Sequence, residues 1–163
     1  MPHLLWDASA LAKRYTRETG SDVVMALFDS VYDSQIVTTI WGYSETFSIL
    51  LRRYNSRTIS RESFMGATSA LRSEIIESPQ TAVVTIDDAT ILSSLSLMQK
   101  HNLNATDAAI LTVFLRYQSA VAEPCVLIAA DKRFVRSAIA EGLSAIDPEN
   151  FVADDVLTYL ASL

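Results

Sequence analysis

Cysteine occurs once in this 163-residue sequence, at Cys125. A lone thiol cannot build a disulfide framework, which fits a reducing compartment. Its run, CVLI, marks it as a small buried hydrophobe. Glycine is scarce too: positions 20, 42, 66 and 142 form no phosphate-cradling loop, and no serine nucleophile elbow is present. His3 and His101 have no zinc-ligand spacing. No apolar run is long enough to span a bilayer, and Met1 to Asp7 lacks the basic start and long apolar stretch of a secretory signal. A cytoplasmic location is therefore expected. Positive charge is also in deficit. A net charge of −6 argues against a simple cationic nucleic-acid binder, though not against nucleic acid as a substrate.

What is present is apolar patterning. Half the residues are hydrophobic and a fifth charged, enough for a real core in one domain over 1–163 with some apolar surface left for an interface. Strands are expected at His3 to Trp6, Gln35 to Thr39, Ala82 to Ile86, Cys125 to Ala129 and, briefly, Leu143 to Ile146. Helices are expected over Ala8 to Tyr15, Ser21 to Val31, Gly42 to Tyr54, Ser60 to about Glu77, a stretch capped by Asp87 or Asp88, Thr106 to Ser119, Asp131 to Ala140 with Gly142 as its C-cap, and Phe151 to Leu160. Continuous apolar strands separated by helices mean an α/β fold with a parallel sheet covered on both faces.

Four acids stand out against that pattern: Asp7, Glu45, Asp107 and Asp131. Asp7 and Asp131 end apolar strands and open helices, the junction where open parallel sheets bind ligands. The plain alternative for both is a helix cap. Glu45 and Asp107 fall near helix starts, where the helix dipole favours an acid, but the residues after Asp107 are apolar and a buried acid needs a partner. Acids gathered in one pocket call for a hard divalent cation, Mg²⁺ or Mn²⁺. Ser9 stands two residues after Asp7, placed to hydrogen-bond that acid or a metal-bound water. Asp87 and Asp88 also follow a strand and are the main decoys. Asp22, Asp29, Asp33, Glu62, Glu74, Glu77, Asp147, Glu149, Asp154 and Asp155 read as surface acids. Basic clusters follow three of the four acids: Lys13, Arg14 and Arg17; Arg52, Arg53 and Arg57; Lys132, Arg133 and Arg136. Each reads as a solvated helix face or as a local phosphate contact.

DASALAKRY, the SE at Ser44 and Glu45, ATDAAIL and AADKRF, in that order and across nearly the whole chain, resemble the PIN-domain family, and within it the VapC-type toxin ribonucleases. The resemblance implies a three-layer α/β/α sandwich with a central parallel sheet of about five strands. It implies that Asp7, Glu45, Asp107 and Asp131 are the catalytic, metal-binding acids, with Ser9 in support. It further implies Mg²⁺ (or Mn²⁺) as cofactor, RNA as substrate, a small antitoxin protein as partner, and a homodimer. Phe47 to Tyr54 and Phe64 to Leu71 are the candidate dimer and antitoxin faces, or else core. Two departures are visible: Ala129 stands where the family often carries a hydroxyl, and Ala108 to Ile110 hold no histidine.

Three rival readings stand beside it. One is a housekeeping RNA-processing nuclease of the same fold, and another a PIN fold that only binds. The third is a phosphoacceptor receiver domain, which would use Asp87 after the third strand but lacks the paired acids that module wants after the first. A haloacid-dehalogenase-like phosphatase is disfavoured, because Ser9 occupies the place of its second Asp.

Overall fold

The structure, a computed structural model, describes residues 2–32 and 35–162; Asp33 lies outside them. Five strands, β1 (His3–Trp6), β2 (Ile36–Thr39), β3 (Ala82–Val84), β4 (Cys125–Ile128) and β5 (Ser144–Ile146), form one parallel sheet in the order β3-β2-β1-β4-β5. The helices are α1 (Ala8–Tyr15), α2 (Ser21–Ser30), α3 (Ile40–Asn55), α4 (Arg61–Leu71), α5 (Asp88–His101), α6 (Ala105–Ala120), α7 (Lys132–Ala140) and α8 (Ala153–Ala161). A π-helical stretch, Arg72–Ile76, continues α4.

Period-two alternation in the strands builds the two outer layers. Leu4 and Trp6 of β1 join Ile36, Val126 and Ile128 on one face, under α1, α2, α4 and α8. Leu5 joins Val37 and Leu127 on the other, under Ile110 and Phe114 of α6 and Phe134 and Ala138 of α7. The sandwich is thus three layers with two separate apolar cores.

Most boundaries follow the sequence reading, and the shifts have local causes. Helix α3 starts at Ile40, two residues before Gly42, because the Thr39 hydroxyl accepts the Gly42 N–H at 2.9 Å and caps the helix. Gly42 sits where α3 passes over the sheet; a Cβ there would meet Thr38 Oγ1 at 2.8 Å. Strand β3 ends at Val84, short of the expected Ile86. Of the two candidate caps for α5, Asp87 is the one used: it accepts the Thr90 N–H at 2.8 Å. Gly142 closes α7 as expected, at φ +87°, with its N–H on Ile139 O and that of Leu143 on Ala138 O. Cys125 is buried, and burial pushes its thiol up to about 11, consistent with an inert packing role.

The sheet order fixes where a ligand can enter. The chain runs outward from β1 through β2 to β3, then returns to β4 on the other side of β1. Strand order therefore reverses between β1 and β4, and the crevice at their C-terminal ends is the switch point.

Candidate active site

Asp7 leaves β1 and Asp131 follows β4, so the switch point brings both to one crevice. Asp7, Glu45, Asp107 and Asp131 all line a single cleft of about 350 Å³, together with Ala8, Ser9, Ser48, Ile49, Arg52 and Phe134. All five residues singled out in the sequence thus share one cleft.

The two strand-end acids are helix caps as well as cleft residues. The Asp7 side chain accepts from Ser9 N at 2.9 Å and caps α1; Asp131 accepts from Arg133 N and Phe134 N and caps α7. Asp7 is almost wholly buried, whereas Asp131 is exposed. Ser9 ties them together. Its hydroxyl donates to Asp7 Oδ2 at 2.5 Å and accepts from the N–H groups of Ala130, at 2.9 Å, and Asp131, at 3.3 Å. One side chain thus pins the end of β1 to the turn after β4, and it does so by bonding backbone. Ala129, at the position where the family often carries a hydroxyl, is fully buried in the apolar cluster with residues of α6 and α7.

The other two acids come from helices packed over the crevice. Glu45 is the sixth residue of α3, past the first turn in which it was expected, so the helix N-terminus supports its charge less. Glu45, Ser48, Ile49 and Arg52 recur at helical spacing and form one wall of the cleft. Asp107 is the third residue of α6, where Asn104 holds it twice: Asn104 Oδ1 accepts the Asp107 N–H, and Asn104 Nδ2 donates to Asp107 Oδ2, both at 2.8 Å. Asn104 was not singled out in the sequence. The apolar run that it precedes was the available signal, since Asn before a helix is a cap.

The acids raise one another's proton affinity. Burial, then the charges of Asp7 and Asp107, push Glu45 up to about 7, with Arg52 offsetting part of it. Burial, then Asp7 and Asp131, push Asp107 up to about 6, against the Asn104 hydrogen bond and Arg133. Asp7 is raised chiefly by burial, although Ser9 and the Ala8 N–H favour its charged form. Such mutual repulsion is what a divalent cation would relieve.

The donor set is four carboxylates with no imidazole or thiol, which suits Mg²⁺ or Mn²⁺ rather than zinc. Among the described residues no three His, Cys, Asp or Glu side chains converge into a ready cage. Mg²⁺ commonly uses only one or two protein carboxylates and keeps its waters, so a loosely spaced set fits it. The histidines are engaged elsewhere, His3 with Tyr117 and His101 with Glu141.

Several residues fall outside the site. Asp87 follows the edge strand β3, with β2 between that strand and β1; two strand spacings, roughly 10 Å, separate β3 from the strand that Asp7 leaves. It faces Thr90 instead, whose hydroxyl and N–H hold its carboxyl below the usual range. That placement removes the receiver-domain arrangement. Lys13, Arg14 and Arg17, one of the clusters open to phosphate contact, are occupied in ion pairs. Lys13 is buried against Glu149, at 2.8 Å, and Glu18; Arg14 pairs with Asp29 and Glu74; Arg17 pairs with Asp22.

The PIN domain family model matches residues 4–140, and the chain belongs to the PIN domain family, a family of nucleases. Three solved structures share the fold. A chain from the structure of FitAB bound to an IR36 DNA fragment aligns with a TM-score of 0.66 at 10% identity, over 91% of this chain and 97% of that one. PAE2754 from Pyrobaculum aerophilum aligns at 0.61 and 16% identity, over 99% and 97%. FitAcB from Neisseria gonorrhoeae aligns at 0.57 and 13%, over 91% and 99%. At these identities the likeness is one of fold. No curated protein matches the sequence significantly. No helix among the described residues is long and apolar enough to cross a membrane.

Proposed function

We propose that this protein is a Mg²⁺- or Mn²⁺-dependent endoribonuclease that hydrolyses RNA phosphodiester bonds, acting as the toxin of a toxin–antitoxin pair in the cytoplasm. The observation that carries the nuclease reading is the convergence of Asp7, Glu45, Asp107 and Asp131 on one cleft at the switch point of a PIN fold. These four acids would hold the metal. When bound, the ion supplies Lewis acidity toward the phosphate and a more acidic water. The chain's own contribution is placement: Ser9 fixes the Asp7 carboxylate and the 130–131 backbone, and Asn104 fixes that of Asp107. Arg52, on the Glu45 wall, supplies positive charge where a phosphate would approach.

The toxin reading draws on the resemblance to VapC-type toxins and on the FitAB and FitAcB neighbours, which support a small antitoxin as partner. Part of the apolar surface proposed for a dimer or antitoxin is internal. Phe64 stacks on Tyr54 at 5.1 Å and packs edge-on against Phe47, while Leu50, Ala67 and Leu71 enter the core. Phe47, Leu51 and Met65 stay exposed and are the part left for a homodimer or antitoxin.

Purified protein and its Asp7→Asn variant, incubated with tRNA and rRNA fragments in Mg²⁺, Mn²⁺ or chelator, test the reading. Metal-dependent cutting by the wild type alone is expected. Equal cutting by both proteins would refute the site.

A further inference from the structure

The chain is acidic, yet its free positive charge is not scattered. Of thirteen lysines and arginines, Lys13, Arg14, Arg17, Arg53, Arg72 and Lys100 sit in ion pairs, and Arg116 is bonded to the hydroxyls of Thr90 and Ser93. The remaining six are exposed and carry no ion pair among the described residues, though Arg52 donates one hydrogen bond to Ser48 Oγ and Arg133 one to the Asn102 carbonyl. They fall in two groups. Lys132, Arg133 and Arg136 lie on α7; Arg52 lies near the end of α3, Arg57 in the turn after it and Arg61 at the start of α4. Both groups reach the acid cleft, through Phe134 of α7 and Arg52 of α3. From Glu45 to the last residue of α3 is ten residues, roughly 15 Å of helix. Beyond it Arg57 and Arg61 border a second recess of about 600 Å³ with Tyr54, Asn55 and Thr58.

Arg57 adds an independent observation. Helix α3 closes in a Schellman motif, with the Arg57 N–H on Tyr54 O and the Thr58 N–H on Arg53 O, each at 2.9 Å. The left-handed position of that motif favours glycine, but here it holds arginine at φ +60°. An arginine in this left-handed position carries a conformational cost that glycine would not.

We propose that the end of α3 and the α3–α4 turn, through Arg52, Arg57 and Arg61, bind the RNA backbone leaving the acid cleft, while α7 binds the strand on the other side. The inference deepens the nuclease reading and rests on it for the identity of the strand. Charge placed along a path that starts in the cleft fits a polyanion spanning it, and neutralised phosphates make such binding salt-dependent.

The test uses the full chain carrying Asp7→Asn and a labelled single-stranded RNA without divalent metal, titrated over a range of salt. Adding R57G and R61A should weaken binding on the order of tenfold at moderate salt and lower the salt slope by about 0.7 for each phosphate that is no longer neutralised. R72A, which removes an exposed arginine paired with Glu77, should change neither. R57G alone should melt at or above the parent temperature. An unchanged slope overturns the proposal, as does an equal effect of R72A. A lower melting temperature for R57G also overturns it, since Arg57 would then serve the fold. So does loss of poly-glutamate binding with RNA binding intact, which would mark a surface for acidic protein. Metal-dependent cleavage by the wild type alongside an unchanged slope overturns this path and leaves the nuclease standing. Arginine-dependent binding without metal-dependent cleavage does the reverse.

Discussion

The acid cleft is built from two unlike halves. Asp7 and Asp131 sit on the ends of central strands and are held by backbone. The Asp7 N–H bonds Ile128 O at 3.0 Å, the Ala129 N–H bonds Ile146 O at 3.1 Å, and Ser9 joins the two turns. Glu45 and Asp107 are side chains on helices laid over that edge. Among the described residues Glu45 has no hydrogen bond supporting its charge, and Asp107 has only Asn104. The strand half is preorganised and the helix half is electrostatically loaded. A metal ion would therefore be registered by the first and would relieve the second.

The largest effects should come from the strand half, and there activity and stability separate cleanly. Asn caps a helix as well as Asp does, so Asp7→Asn and Asp131→Asn keep α1 and α7 capped while removing charge. Both should cut metal-dependent cleavage by more than the roughly 100-fold typical of an outer-shell partner. The melting temperature of Asp7→Asn should equal or exceed that of the wild type, because a buried charge is lost. A large drop in its thermal stability would mean that the Asp7 carboxylate is structural.

Ser9→Ala comes next. It unties Asp7 from the 130–131 backbone and leaves the Ala130 N–H without its partner, a cost of about 1–3 kcal/mol if water cannot reach it. Mn²⁺ affinity, read from calorimetry, should fall about 10- to 100-fold, and Ser9→Thr should recover most of it. Equal metal affinity in Ser9→Ala and wild type would leave Ser9 a structural tie between the two turns only.

The helix half should show itself in pH dependence. The folded-state value of Glu45 is raised from 4.5 to about 7, so across that window the folded protein binds more protons than the unfolded chain. Stability without metal should therefore be highest near the lower limit and fall as pH rises toward the upper one. Asp107, raised from 3.8 to about 6, adds to the same slope. Glu45→Gln should flatten the melting temperature against pH between about 4.5 and 7, and saturating Mg²⁺ should flatten it in the wild type. A slope that survives both changes would place its origin elsewhere.

The smallest effect tests the contrast from outside the cleft. Asp87→Asn keeps the cap of α5 and removes a strand-end acid that is not in the site. Cleavage should stay at the wild-type value, while the melting temperature should fall slightly, because the charged form that Thr90 favours is lost. Reduced cleavage would show that the edge strand takes part.

Local sequence determined more of this protein than its low similarity to solved structures suggests. The apolar runs before Asp7 and Asp131, the small and apolar run after Asp107 and the turns between them were enough for five parallel strands, two covered faces and four candidate acids. These are consequences of burial period and helix capping, which act over a few residues. Strand order was not legible in that way. Asp87 follows a strand as Asp131 does, and only the position of β3 at the edge and β4 beside β1 tells them apart. The same holds for charge. Lys13 and Arg14 follow Asp7 by a few residues, yet their partners Glu149 and Glu74 come from far along the chain and turn them away from phosphate. The reach of Ser9 to Ala130 likewise spans 121 residues. Local propensity fixes which residues cap, bury or turn; which acids meet, and which cations stay free, depends on contacts between distant segments that exist only once the sheet is assembled.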